Sequence, residues 1–110
     1  MDNEKTDNYY IKKIIGHLEN IVEFLNGIDE ESFYNSKVVQ SAVCFEFVQI
    51  YENAKEIDNN ITDVLKDFPL HELRGFRNRL VHEYGRVDYT VIYKSAMVDV
   101  PNMLERLKQY

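Results

Sequence analysis

Apolar residues three and four positions apart, sustained without a proline, leave little alternative to a helix. Ile11, Ile14, Ile15, Leu18, Ile21, Val22 and Leu25 line one side of a helix drawn from about Asp7 to Asn26, with Gly27 as its C′ residue. His17 lies off the centre of that stripe and reads as a flanking surface histidine. Residues 1–6 are polar and acidic and read as a frayed tail. Asp29 to Asn35 form a capped turn or a short helix, in which Asp29 accepts from exposed amides and Glu30 and Glu31 suit the positive end of the dipole.

A second long helix is expected over residues 37–58. It is apolar nearly all round, at Val38, Val39, Ala42, Val43, Phe45, Phe47, Val48, Ile50 and Tyr51. Such a helix needs cover on several sides, and a second copy of the chain would supply what a small bundle leaves bare. Glu46 projects into its stripe of Val39, Ala42, Val43, Ile50 and Ile57. A carboxylate there either reaches water at an edge or requires a partner.

Asn59 to Asp67 suggest a short helix, ended by Phe68-Pro69. A third main helix follows from about Leu70 to Tyr84, closed by Gly85. Asp88 caps a fourth, about Tyr89 to Lys108, which Pro101 should kink or split. The fold class is therefore all-α: an up-and-down four-helix bundle with short connecting helices, one domain over residues 1–110, and homodimeric. The chain's 4 glycines and 2 prolines are few for an all-β protein. Its length allows one modest core, burying roughly two-thirds of the unfolded surface.

Cys44 is the only cysteine, which excludes an intrachain disulfide and fits a reducing compartment. Within Val43-Cys44-Phe45 it reads as a buried hydrophobe. The N-terminal residues do not resemble a signal peptide, and no apolar run nears the ~20 residues of a membrane span. The expected location is cytoplasmic, with no membrane contact.

Against a net charge of −6, residues 71–86 hold four of the five arginines and two of the three histidines, opposed only by Glu72 and Glu83. So acidic a chain would repel a polyanion, so the clustered cations serve a confined task such as stabilising phosphate. Arg77 falls among Leu73, Leu80, Val81 and Tyr84 on a helical wheel. An arginine there keeps its charge and needs an acid or a wet cleft, and Glu46 and Glu52 on the second helix are the candidate ion-pair partners. His71, Arg74, Asn78 and His82 make a second, polar row, with Gly75 beside it. Histidine moves protons near neutrality, and arginine offers paired donors to phosphate oxygens. Together they suit RNA cleavage without a metal: one histidine deprotonates a ribose 2′-hydroxyl, another protonates the leaving 5′-oxygen, and arginine stabilises charge on phosphorus. No His-Glu-x-x-His, cysteine pair, glycine-rich phosphate loop or Gly-x-Ser-x-Gly is present, and no cofactor is expected. Arg77 and His82 lie ~140° apart on a straight helix. Either the helix distorts near His82 or a second chain completes the site.

Arg77-Asn78-Arg79-Leu80-Val81-His82-Glu83-Tyr84 resembles the Arg-x-x-x-x-His signature of HEPN domains, and the tyrosine two residues past the histidine resembles the HepT family of HepT–MntA toxin–antitoxin pairs. Val87-Asp88 follows as in that family. Gln49 to Lys55 is similar to its Ile-Gly-Glu-Ala stretch with Tyr51 in place of glycine. Phe68-Pro69-Leu70 and Tyr93 stand where Pro-Trp and Trp are common. The resemblance implies a helical homodimer with a ribonuclease site at the subunit cleft. Arg77 and His82 would be its catalytic pair, with Asn78 beside them; from the basic stretch itself, Arg74, Arg79 and His71 are the supporting, phosphate-binding candidates. It also implies a partner nucleotidyltransferase of the MntA type, which uses ATP and magnesium to transfer AMP onto Tyr84 and so silences the toxin. Two other readings compete. One is a non-enzymatic module that docks a nucleotidyltransferase and binds nucleotide. The other is a structural four-helix dimer in which Arg77 is only an ion-pair partner.

Overall fold

The computed structural model describes residues 6–57 and 70–109. These form α1 (Asp7–Phe24), α2 (Glu30–Tyr34), α3 (Lys37–Ala54), α4 (Leu70–His82), a 3-10 turn (Tyr84–Arg86) and α5 (Tyr89–Lys108). The short helix expected at 59–67, its stop at Phe68-Pro69 and residues 1–5 of the expected tail lie outside the described residues.

Each long helix with a described N-terminus starts on a side-chain cap. Thr6 accepts from the Tyr9 amide at 3.4 Å, Ser36 from Val39 at 3.1 Å and Asp88 from Thr90 at 3.0 Å. Thr6 thus belongs to α1 and not to a tail. Asp29 caps α2 by accepting from the Ser32 amide at 2.8 Å, and the hydrogen bonds from Ser32 hold its carboxyl below the usual range. Past α1, Gly27 takes φ +78, a left-handed geometry that glycine adopts without strain. The next segment can therefore fold back at once.

The stripe on α1 does what its spacing implies: Ile11, Ile14, Leu18 and Ile21 are buried. α1 lies between α3 and α5, while α4 leans on the far side of α3. Val43, Phe47 and Ile50 of α3 and Val100, Met103 and Leu107 of α5 complete the core. Phe33 of α2 is fully buried against the rings of Tyr89 and Tyr93. On α4, Phe76 meets Phe47 edge to face, centroids 6.3 Å apart.

Two boundaries differ from the sequence reading. α3 stops at Ala54, short of residue 58, because the chain tightens there into three-residue turns: Glu56 N–H donates to Asn53 O and Ile57 N–H to Ala54 O. α5 runs unbroken through Pro101. Proline removes one amide from the helix ladder, but Val100 and Met103 beside it are buried and anchor both halves in one core.

The polar interior also departs from expectation. His17 is no surface histidine. Its Nδ1 lies 2.7 Å from Glu46 Oε1, and Asn20 Nδ2 donates to the same oxygen at 3.0 Å. Glu46 is thus buried and paired with α1, neither at a wet edge nor with Arg77. Gln40 is buried as well, donating to the Phe33 and Tyr34 carbonyls at 3.0 Å each. It closes the C-terminal end of α2, whose carbonyls have no partner within the helix.

Candidate functional site

α4 amphipathy sets the site. Leu73 and Phe76 are buried against the core. His71, Arg74, Asn78 and His82 are all exposed, forming the polar row that steps of three and four require. Arg77 sits on the flank between these two faces, its side chain 33% exposed. Val81, expected beside it on the inner side, is exposed.

The partner of Arg77 is Glu52 of α3, with Nε 3.9 Å from Oε1. That oxygen is shut off from solvent and takes no well-aligned hydrogen bond. It lies instead between two cations, since Lys55 Nζ stands 3.2 Å away. Arg77 Nη1 donates to Asn78 Oδ1 at 3.3 Å. With Glu52 facing Nε across 3.9 Å and Asn78 accepting from Nη1, Nη2 meets no hydrogen-bond acceptor among the described residues, and its N–H groups can donate to a phosphate.

His82 is the last residue of α4. Among the described residues it makes no hydrogen bond or ion pair. The helix is regular up to that point, and only Tyr84–Arg86 tighten to 3-10 geometry. The distortion that would swing His82 toward Arg77 is therefore not seen. One chain brings together Arg77, Asn78 and Glu52, and it leaves His82 on the outer face. Arg86 is held by Glu83 at 2.9 Å. Tyr84 opens the 3-10 turn two residues past His82; its side chain lies outside what is described.

Apolar surface adjoins this flank. Val38 and Phe45, seven residues apart on one side of α3, are 80% and 58% exposed, and Val81 of α4 is 57% exposed. A groove of about 270 Å³ runs past Phe45, Val48 and Leu80. Burial pushes the Cys44 thiol at its base up to about 12, so Cys44 is no nucleophile at neutral pH. The sequence reading missed Gln40 and the partnership of His17 with Glu46. A polar residue inside an otherwise apolar helical run was the available signal for both acceptor and donor.

An all-α bundle carrying Arg77 and His82 on one basic helix, with Tyr84 opening the turn that follows it, defines a HEPN-type protein. The family model described as Ribonuclease HepT-like matches residues 14–110, and the chain belongs to that family. It is similar to a provisionally named ribonuclease HepT of Thermococcus cleftensis, 32% identical over 94 residues, 86% of each chain. A provisionally named RNase of Methanocaldococcus jannaschii is 28% identical over 100 residues, 91% of this chain and 86% of that protein. Another, of Caldanaerobacter subterraneus, is 27% identical over 105 residues, 96% and 94% of the two chains. No solved structure matches the chain significantly. No described helix is long and apolar enough to cross a membrane.

Proposed function

We propose that this chain is the ribonuclease toxin of a two-protein toxin–antitoxin system and cuts RNA without a metal at a site shared by two copies. The observation that carries the reading is the placement of Arg77: anchored by Glu52 and Asn78, it offers its Nη2 donors beside the row that ends in His82. A two-fold dimer through Val38, Phe45 and Val81 would bring two such helices to one cleft. There His82 of one copy takes the proton of a ribose 2′-hydroxyl as its oxygen attacks phosphorus. The 5′-oxygen leaves with a proton from the second copy's His82, and Arg77 stabilises the charge on the non-bridging oxygens.

On the same reading, silencing acts at the motif tyrosine. A partner nucleotidyltransferase, holding ATP and magnesium, transfers AMP to the Tyr84 hydroxyl and releases pyrophosphate. The added charge, two residues from His82, repels RNA. The alternative of a non-enzymatic docking module is favoured by the net charge of −6, which disfavours polyanion binding outside α4.

Incubating labelled RNA with purified protein in chelator separates these readings. Cleavage by the wild type that is lost in Arg77→Ala and His82→Ala supports the ribonuclease. Cleavage that survives both substitutions overturns it.

A further inference from the structure

We infer that the crevice between α4 and α5 beside Gly75 is a subsite for one unpaired base of an RNA strand. α4 packs along α3 and touches α5 little, and a cavity of about 240 Å³ opens between them. Phe47, Phe76 and Ile92 floor it, and all three are buried. His71, Glu72 and Arg79 stand on the α4 wall and Asp88 and Ser95 on the other. The volume falls below the ~300–1,000 Å³ of pockets that enclose drug-sized ligands, which suits one flat ring system rather than a whole nucleotide.

Gly75 is the second observation. Within a helix only proline is less favourable than glycine. Its backbone is not left-handed, and, as at Gly16 of α1, a Cβ added there would meet nothing within 4 Å among the described residues; unlike Gly16, Gly75 lines a crevice. Neither backbone geometry nor packing requires glycine here. What the missing side chain does is keep the crevice wall flat and open.

Position supplies the third. Gly75 and His82 are seven residues apart, so they face within ~20° of each other and lie roughly 10 Å apart along the axis. A strand with a phosphodiester at His82 thus has a neighbouring base within reach of the crevice. Guanine fits best: it sets two adjacent acceptors toward an arginine fork and N–H donors on its next edge toward a carboxylate. One Asp88 oxygen caps α5, and a carboxylate has acceptor capacity beyond that.

The strand's path past His82 rests on the ribonuclease reading; the binding itself does not. The test measures fluorescence anisotropy of short labelled single strands, all-uridine or with one guanine, on His82→Ala protein so that nothing is cut. Gly75→Ala is expected to raise Tm by about 4 °C. Gly75→Leu is expected to leave Tm no lower, to weaken binding of the guanine strand about tenfold, and to erase its advantage over all-uridine. Equal affinity of the parent for both strands, unchanged affinity in Gly75→Leu, or a fall in Tm for Gly75→Ala overturns the subsite. If the wild type cuts no RNA while the guanine preference and its loss are seen, the ribonuclease reading fails and the subsite stands.

Discussion

Replacing His17 by alanine is expected to cost about 2 kcal/mol of stability, although the residue looks peripheral in the sequence. Glu46 carries a side chain only 8% exposed, and His17 Nδ1, at 2.7 Å, is the shorter of its two described contacts. A hydrogen bond to a charged group contributes ~1.5–3 kcal/mol, and a buried acceptor stripped of its partner costs a similar amount. For 110 residues the unfolding entropy is about 0.23 kcal/mol/K, so the loss appears as a fall in Tm of about 9 °C. Glu46→Leu fills the site with apolar volume but leaves His17 Nδ1 and Asn20 Nδ2 without their acceptor, so it too is destabilising, and the double variant should cost less than the two single losses added together. Urea unfolding followed by circular dichroism measures both, and the double variant closes the cycle. If His17→Ala changes stability by less than about 0.5 kcal/mol, or if the two substitutions add without coupling, the pairing does not hold α1 to α3.

Three further outcomes are expected. Glu52→Gln lowers kcat for RNA cleavage about tenfold by releasing Arg77. KM does not rise, because the change removes an acid from a site for a polyanion; steady-state kinetics with Arg77→Ala as the reference decides this. Cys44 resists iodoacetamide in the native protein at pH 8 and reacts on unfolding, as a thiol raised to about 12 by burial must; mass spectrometry reads the adduct. If the proposed dimer forms through this face, Phe45→Lys with Val81→Lys sediments as a monomer where the parent sediments as a dimer, and the helical spectrum stays intact, since both side chains are already exposed.

Much of the fold was legible because period alone places helices. Ile11 to Leu25 and the caps Asp29 and Asp88 mark their elements without any tertiary knowledge. The lateral order of helices was not legible, and the errors trace to it. Glu46 and Glu52 are six residues apart, ~240° around α3, so they must face different neighbours. Which neighbour each meets depends on α1 lying on one side and α4 on the other. The separation of 29 positions between His17 and Glu46 carries no local signal of their contact. On a helix apolar nearly all round, likewise, nothing in the chain separates Phe47, at 1% exposed, from Phe45, at 58%. For the site, the row His71, Arg74, Asn78 and His82 was readable from spacing. The partner of Arg77 needed coordinates to choose between two acids already in view.

In the proposed reaction the ribose 2′-hydroxyl itself attacks phosphorus, with Arg77 and His82 in attendance. Mass spectrometry of the fragments that the wild-type protein releases from a short RNA in chelator tests this. The expected ends are a 2′,3′-cyclic phosphate (or its hydrolysed phosphate) and a 5′-hydroxyl. Fragments ending in a 3′-hydroxyl and a 5′-phosphate, or an RNA left whole until metal is restored, would contradict it.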